Sequence, residues 1–250
     1  KDTPLNYKGD PENLIPEKDV MDTWNTSSIS PYICKQLYDK NNASPFESAS
    51  PFIPMSMRPQ AHDIIRTWAF YTIVKSWMHN KIIPWKEIVI SGHVLSEKNE
   101  KISKSKGNVP TEPHKLLELY APDAIRFWTA SGSLGQDIAF SQDQIKIGQK
   151  LLTKLWNAFK FIKLNTTEYT HSSTPPKNLH VINQWLVDQY YICLQRYTNY
   201  FAKHEFSLAL QAVEDLFWKQ FCDNYIEIIK GQFFNSEQYS HEEREQTLWV

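Results

Sequence analysis

Glu87-Ile88-Val89-Ile90-Ser91-Gly92-His93-Val94-Leu95, followed shortly by Lys101-Ile102-Ser103-Lys104-Ser105-Lys106-Gly107-Asn108, is the stretch that decides the fold. Residues 87–92 form a short β-branched run ending in Gly, the pattern of a buried strand. Upstream, Ile64/Ile65, Trp68, Phe70/Tyr71 and Val74 recur at helical spacing, so a helix is expected from His62 to about Asn80, stopped before Pro84. Phe52-Ile53-Pro54-Met55-Ser56-Met57 is expected to supply a preceding short strand. A helix between two short apolar strands is the βαβ pattern, and a parallel sheet places its ligand beyond the carboxyl ends of the strands. The segment His93 to Val109 lies just past such an end.

Working outward, residues 1–60 are crowded with prolines, from Pro4 to Pro59, which forbid long helices. Beyond the lysine stretch, short helices are expected over His114–Tyr120 and from Pro122 to about Ala130, with Pro122 suited to a first helical position. Thereafter the spacing becomes that of long helices. Ile145, Leu152, Leu155/Trp156, Phe159 and Ile162 mark one. Ile182, Trp185/Leu186, Gln189 and Ile192/Cys193 mark a second. Leu210, Val213, Phe217, Phe221, Tyr225 and Ile228 mark a third, regular one. Thr166 to Asn178 is a polar loop between the first two. The expected fold class is α/β followed by an all-α helical bundle.

Composition narrows the function without naming it. A 250-residue chain with 41% hydrophobic and 22% charged residues can bury a real core. Its net charge of −1 gives no general attraction for nucleic acid, so any RNA contact must rest on local patches. Cys34, Cys193 and Cys222 lie far apart, with no CxxC or Cys/His spacing, so neither a disulfide framework nor a structural metal is expected. The polar N-terminal stretch and the lack of a long apolar run point away from secretion and membrane spanning, so a cytoplasmic location is expected. Lys1 in place of an initiator Met, and a last charged run that reads as a helix in progress, are expected of a piece of a longer protein.

The lysine stretch carries the chemistry. Lys101 and Lys104 are three apart, each followed within two residues by a hydroxyl, on a loop after a strand. Ammonium groups meet phosphate oxygens as mobile point charges, while hydroxyls and backbone N–H groups add directional hydrogen bonds. Donors aimed at charge building up on a breaking phosphate chain can lower the barrier by roughly 3 kcal/mol each. On charge alone, a solvated loop is the commoner meaning, because Glu97 and Glu100 interleave with the lysines.

The string changes that balance. Lys101-Ile102-Ser103-Lys104-Ser105-Lys106-Gly107-Asn108 resembles the KMSKS signature of class I aminoacyl-tRNA synthetases, with Ile102 for Met. Further segments resemble the valine-specific branch of that family. These are Asp19-Val20-Met21-Asp22-Thr23-Trp24 with Thr26-Ser27-Ser28, Arg58 to Trp68, Ser91-Gly92-His93-Val94-Leu95, Ala121 to Trp128 with Gly135 to Ile138, and Phe217 to Glu227. The resemblance covers nearly the whole chain. It implies three parts: residues 1–106 as the C-terminal half of a Rossmann-type nucleotide-binding catalytic fold, including the lysine loop, 107–143 as a connecting stem-contact region, and 144–250 as the start of an anticodon-binding helical domain.

It also implies roles. Lys101 and Lys104 would hold the β- and γ-phosphates of ATP, with Ser103 and Ser105 as secondary contacts and Gly92 and His93 near the adenine; His93 is equally readable as a surface histidine. Trp24, Ile64 and Trp68 would wall a valine pocket with Asp63 as polar neighbour, although Trp68 taken alone reads as a core residue. Lys146, Lys150 and Lys154, at i, i+4 and i+8, would meet tRNA phosphates or simply form a solvated face. The aromatic residues of 185–234 are expected to be bundle core. The implied substrates are valine, ATP with Mg2+ as its counter-ion, and tRNA(Val). An isoleucyl- or leucyl-type synthetase segment, or a non-catalytic tRNA-binding module, are the alternatives. One departure is plain: the His-x-Gly-His element of this class is missing from the sequence, so these residues by themselves are expected to be inactive.

Overall fold

The proline-rich beginning still admits short helices, because proline fits a first helical turn. In the computed structural model, which describes residues 6–16, 18–20, 22–38, 52–97, 99–102, 107–108, 112–167, 169 and 174–250, α1 spans Thr23–Ser27 and α2 spans Ser30–Tyr38. Asp22 caps α1, its Oδ1 accepting the Trp24 N–H at 3.0 Å. The chain divides into two compact units, residues 1–88 and 89–250.

In the first unit, β1 spans Met55–Ala61, three residues later than the sequence suggests. It contains Pro59, which has no N–H for a ladder and is tolerated because the sheet has only two strands, β1 and β2. The helix expected over 62–80 is three pieces: a 3-10 turn at His62–Ile64, a π-helical turn at Ile65–Ala69, and α3 at Phe70–Asn80. Lys81, with φ of 57°, ends α3 in the left-handed conformation. β2 spans Trp85–Ser91, and the Met55 N–H donates to the Pro84 carbonyl at 2.9 Å beside its start. The strand is not buried throughout as its apolar run suggests. Trp85 and Val89 are buried while Ile88 is exposed, since a two-stranded sheet leaves much of each strand uncovered.

α1 and α2 are tied to α3 by polar contacts. The Tyr32 hydroxyl donates to Ser76 Oγ at 2.5 Å, and Ser76 Oγ donates in turn to the Ile82 carbonyl at 2.8 Å. Lys75 Nζ donates to the Asn25 carbonyl. Tyr32 and Ser76 are both essentially inaccessible, so these hydrogen bonds replace water that burial has removed.

The second unit opens on a parallel strand pair, β3 (Val94–Leu95) with β4 (Ile138–Ala139). Between them lie α4 (Pro113–Leu119) and α5 (Pro122–Ala130). Leu116, Ala124, Trp128, Phe140 and Ile145 form one core, with Trp128 edge-on to Phe140 at 5.5 Å. α6 (Gln142–Asn165) crosses α5 closely at Gly148, where a Cβ would lie 2.9 Å from the Ala124 carbonyl oxygen.

α7 spans Val181–Ala202. The third helix is not regular: α8 (Phe206–Asp215) passes into a π-helical segment, Leu216–Tyr225, before α9 (Ile226–Phe234). Its apolar residues explain this. Val213, Phe217, Phe221 and Tyr225 recur every four residues, a spacing that drifts off one face of a helix with 3.6 residues per turn. Wider π turns keep them aligned, and Phe217, Phe221 and Tyr225 stack at 6.3 and 6.2 Å. Phe221 packs against two small cores, one around Ala158, Cys222 and Ile226, the other around Leu186, Tyr225 and Ile229. α10 (His241–Trp249) begins with a reciprocal capping box between Ser240 and Glu243.

Candidate functional site

The lysine loop hangs from a tight hairpin. The Asn99 N–H donates to the Ser96 carbonyl at 2.9 Å and the Ser96 N–H to the Glu100 carbonyl at 2.8 Å. Asn99 takes a φ of 60°, which asparagine tolerates better than most residues. The turn brings Lys101 back to pair with Leu95 in an antiparallel bridge. At the far end, Asn108 Nδ2 donates to the Lys101 carbonyl at 3.1 Å. Lys101 is exposed. Ser103, Lys104 and Ser105 lie outside the described residues.

Gly92 and His93 stand at the entry to β3. A Cβ on Gly92 would fall 2.0 Å from the Gln136 carbonyl oxygen. The room that glycine leaves is therefore filled by the protein's own backbone. His93 donates its N–H to Asp137 Oδ1 at 2.7 Å and accepts from the Ile138 N–H at 2.9 Å, so its backbone position is fixed from both sides.

In the first unit, the expected pocket residues sit on adjoining elements. Trp24 lies on α1, Asp63 and Ile64 on the 3-10 turn, and Trp68 on the π-helical turn. Trp68 Nε1 donates to the Ser27 carbonyl at 2.8 Å and to Ser30 Oγ at 3.1 Å, bringing Trp68 to the helix that carries Trp24. Trp24, Ile64 and Trp68 are half-buried and Asp63 is exposed. Arg58, which the sequence reading passed over, stacks on Trp68 with its Cζ 3.3 Å from the ring centroid.

Lys146, Lys150 and Lys154 come together along α6 in a groove of about 710 Å³ lined also by Gln149, Asn157 and Trp218. They are not equivalent. Lys146 pairs with Asp143 at 2.9 Å, a hydrogen bond that lowers the Asp143 pKa and raises that of Lys146. Lys154 Nζ lies 5.8 Å from the Trp218 ring centroid. Trp218 thus faces a groove, and Tyr190, Tyr191 and Phe201 are exposed, so the aromatic residues of this region are divided between core and surface.

The first unit holds a strand–helix–strand, and the second a lysine-bearing hairpin beside a parallel strand pair with long helices later in the chain, so the fold is α/β followed by a helical region. The family profile for class I tRNA synthetases (I, L, M and V) matches residues 3–141, and that for the anticodon-binding domain of tRNA ligases matches residues 183–250. The chain belongs to the class I tRNA synthetases. It is similar to the valine–tRNA ligase of Wolbachia pipientis wMel, 39% identical over 250 residues, covering 100% of this chain and 28% of that protein. Similarity to the valine–tRNA ligase of Rickettsia typhi is 42% over 242 residues, covering 94% and 29%. The chain therefore spans less than a third of the length of these relatives. In fold it is similar to the Agrobacterium radiobacter K84 LeuRS, solved as a ternary complex with tRNA and LeuAMS. That match has a TM-score of 0.73 at 16% identity and covers 93% and 29% of the two chains. A second likeness is to Mycobacterium tuberculosis methionyl-tRNA synthetase with methionyl-adenylate, at TM-score 0.69 and 21% identity, covering 92% and 44%. No helix among the described residues is long and apolar enough to cross a membrane.

Proposed function

We propose that this chain is the segment of a valine–tRNA ligase that carries the ATP loop and the opening helices of the tRNA-binding bundle. The reaction is activation of valine by ATP to valyl-adenylate and pyrophosphate, then transfer of the acyl group to tRNA(Val). The observation that carries this reading is the likeness to valine–tRNA ligases along the entire chain, lysine loop included. Residues 1–106 are the catalytic half-fold, 107–143 the connection and 144–250 the helical domain.

Lys101 and Lys104 hold the β- and γ-phosphates of ATP, which arrives with its Mg2+ counter-ion, and neutralise charge as the pyrophosphate departs. The hairpin at 96–100 supports this by fixing where the loop leaves the strand. Ser103 and Ser105 add hydrogen bonds, and Gly92 and His93 border the adenine. Trp24, Ile64 and Trp68 form a dry wall for a short branched side chain beside Asp63. Such a wall excludes longer residues sterically but discriminates an isosteric threonine by only about a hundredfold. Lys150 and Lys154 meet tRNA phosphates in the groove of α6. The enzyme acts in the cytoplasm as a monomer.

Valine-dependent ATP–pyrophosphate exchange tests the reading. In the complete ligase, Lys104→Ala is expected to slow exchange at least tenfold, about 1.4 kcal/mol. A smaller loss counts against the phosphate role. Residues 1–250 alone, without a His-x-Gly-His element, are expected to give no exchange.

A further inference from the structure

Arg58 is a cation in an unusual place. It sits on β1, is 6% exposed, and lies between two indoles, its Cζ 3.3 Å from the Trp68 centroid and 4.6 Å from that of Trp85. Its Nη1 donates to Thr72 Oγ1 at 3.2 Å, and Thr72 Oγ1 donates to the Trp68 backbone carbonyl at 2.5 Å. Nε and Nη2 are buried with no hydrogen-bond partner among the described residues. Burial pulls the guanidinium down to about 10, which still leaves it charged at neutral pH.

Taking a guanidinium out of water with two of its nitrogens unpaired is costly, and a leucine or methionine would fill the same space without that cost. What those side chains lack is a planar cation that packs flat on a π face and also reaches a hydroxyl. The contacts of Arg58 converge on Trp68, directly through its ring and indirectly through Thr72 to its carbonyl. The indole is held at a third point, where Nε1 donates to Ser27 and Ser30. One face is taken by the guanidinium and the N–H edge by α1 and α2. The indole as a whole is half-buried.

We propose that Arg58 is a positioning residue for amino-acid selection: its guanidinium holds the Trp68 indole at the angle that makes it a wall of the valine pocket. This rests on the valine–tRNA ligase reading, which assigns Trp68 to that pocket. Arg58 touches neither substrate nor reacting atoms and acts through Trp68.

The test uses the complete ligase and steady-state ATP–pyrophosphate exchange with valine and with isoleucine. Arg58→Met keeps volume and loses the planar cation; the expected result is a valine KM raised about tenfold or more, an ATP KM within twofold of wild type, and weaker rejection of isoleucine. Arg58→Lys keeps charge without the flat stack, and is expected to fold and to show an intermediate rise in valine KM alone. Should Arg58→Met not fold, the Arg58→Lys result decides. An unchanged valine KM in Arg58→Lys, or equal shifts in the valine and ATP constants in either variant, overturns the positioning role. A wild-type enzyme that shows no valine-dependent exchange sinks the functional reading instead, so the two failures are told apart.

Discussion

The side-chain amide of Asn108 donates to the backbone carbonyl of Lys101 at 3.1 Å, closing the lysine loop upon its own first residue. The same Lys101 is paired to Leu95, so the loop leaves and re-enters the fold at one point. Bringing loop ends together beforehand reduces the entropy lost when the loop orders around a ligand. Asn108→Ala in the complete ligase is therefore expected to slow valine-dependent exchange about tenfold, near 1.4 kcal/mol, with the valine KM unchanged. A rate within twofold of wild type shows that the closure is irrelevant to turnover.

Gly92 gives a second expectation, of stability rather than rate. A methyl group there would collide with the Gln136 carbonyl carbon at 2.2 Å and its oxygen at 2.0 Å, and backbone cannot rotate away as a side chain can. Overpacking of this kind costs about 1–3 kcal/mol, and here the upper end is expected. Gly92→Ala should lower the denaturant midpoint of the second unit, whereas Gly107→Ala, with open space at its Cβ, should cost less despite its φ of 62°. Equal losses at both positions would contradict this.

These two residues also show where the sequence was readable. The string 101–108 points to the family by its resemblance to KMSKS, and α5 has the bounds expected from Pro122 at its start and Gly132 beyond its end. The closing hydrogen bond of Asn108 and the collision at Gly92 depend on backbone brought in from elsewhere, which residue type alone does not encode. Arg58 is the extreme case. Its partners lie at positions 68, 72 and 85, and nothing local marks a strand arginine as buried. The π-helical segment at 216–225 was visible in principle, as a run of fours where a 3.6-residue period was assumed.

The groove on α6 separates lysines that look alike in sequence. Lys146 already has a carboxylate partner, so its replacement should release few counterions on RNA binding. In filter-binding titrations of tRNA(Val) against salt, Lys150→Ala and Lys154→Ala should each flatten the log–log slope by about 0.7–0.9, the value of one phosphate contact. Lys146→Ala should change the slope by less than half that. Identical slopes for all three variants would mean that α6 presents only a solvated face.

The buried triad of the bundle carries a pH dependence whose sign can be fixed. The Tyr225 hydroxyl donates to Asn183 Oδ1 at 2.8 Å, and Asn183 Nδ2 donates to Thr247 Oγ1 at 3.1 Å, with all three residues buried. Burial raises the Tyr225 phenol well above its ordinary value of 10.0. The folded state thus binds that proton more tightly than the unfolded chain does. Its stabilisation is complete below pH 10 and is lost as pH climbs from there toward the folded value. Cys193 and Cys222, raised by burial from 9.0, add a loss of the same sign that begins earlier. Tyr225→Phe removes the phenol, so its difference in unfolding free energy from wild type isolates that one group. At pH 7 the variant should be weaker by about 1–2 kcal/mol, the cost of a lost buried hydrogen bond. Between pH 10 and 11 the gap should narrow, because wild type is then losing what the variant never had. A gap that stays constant over that interval would show that the phenol titrates in the folded bundle as it does in water, and a widening one that folding lowers its pKa instead.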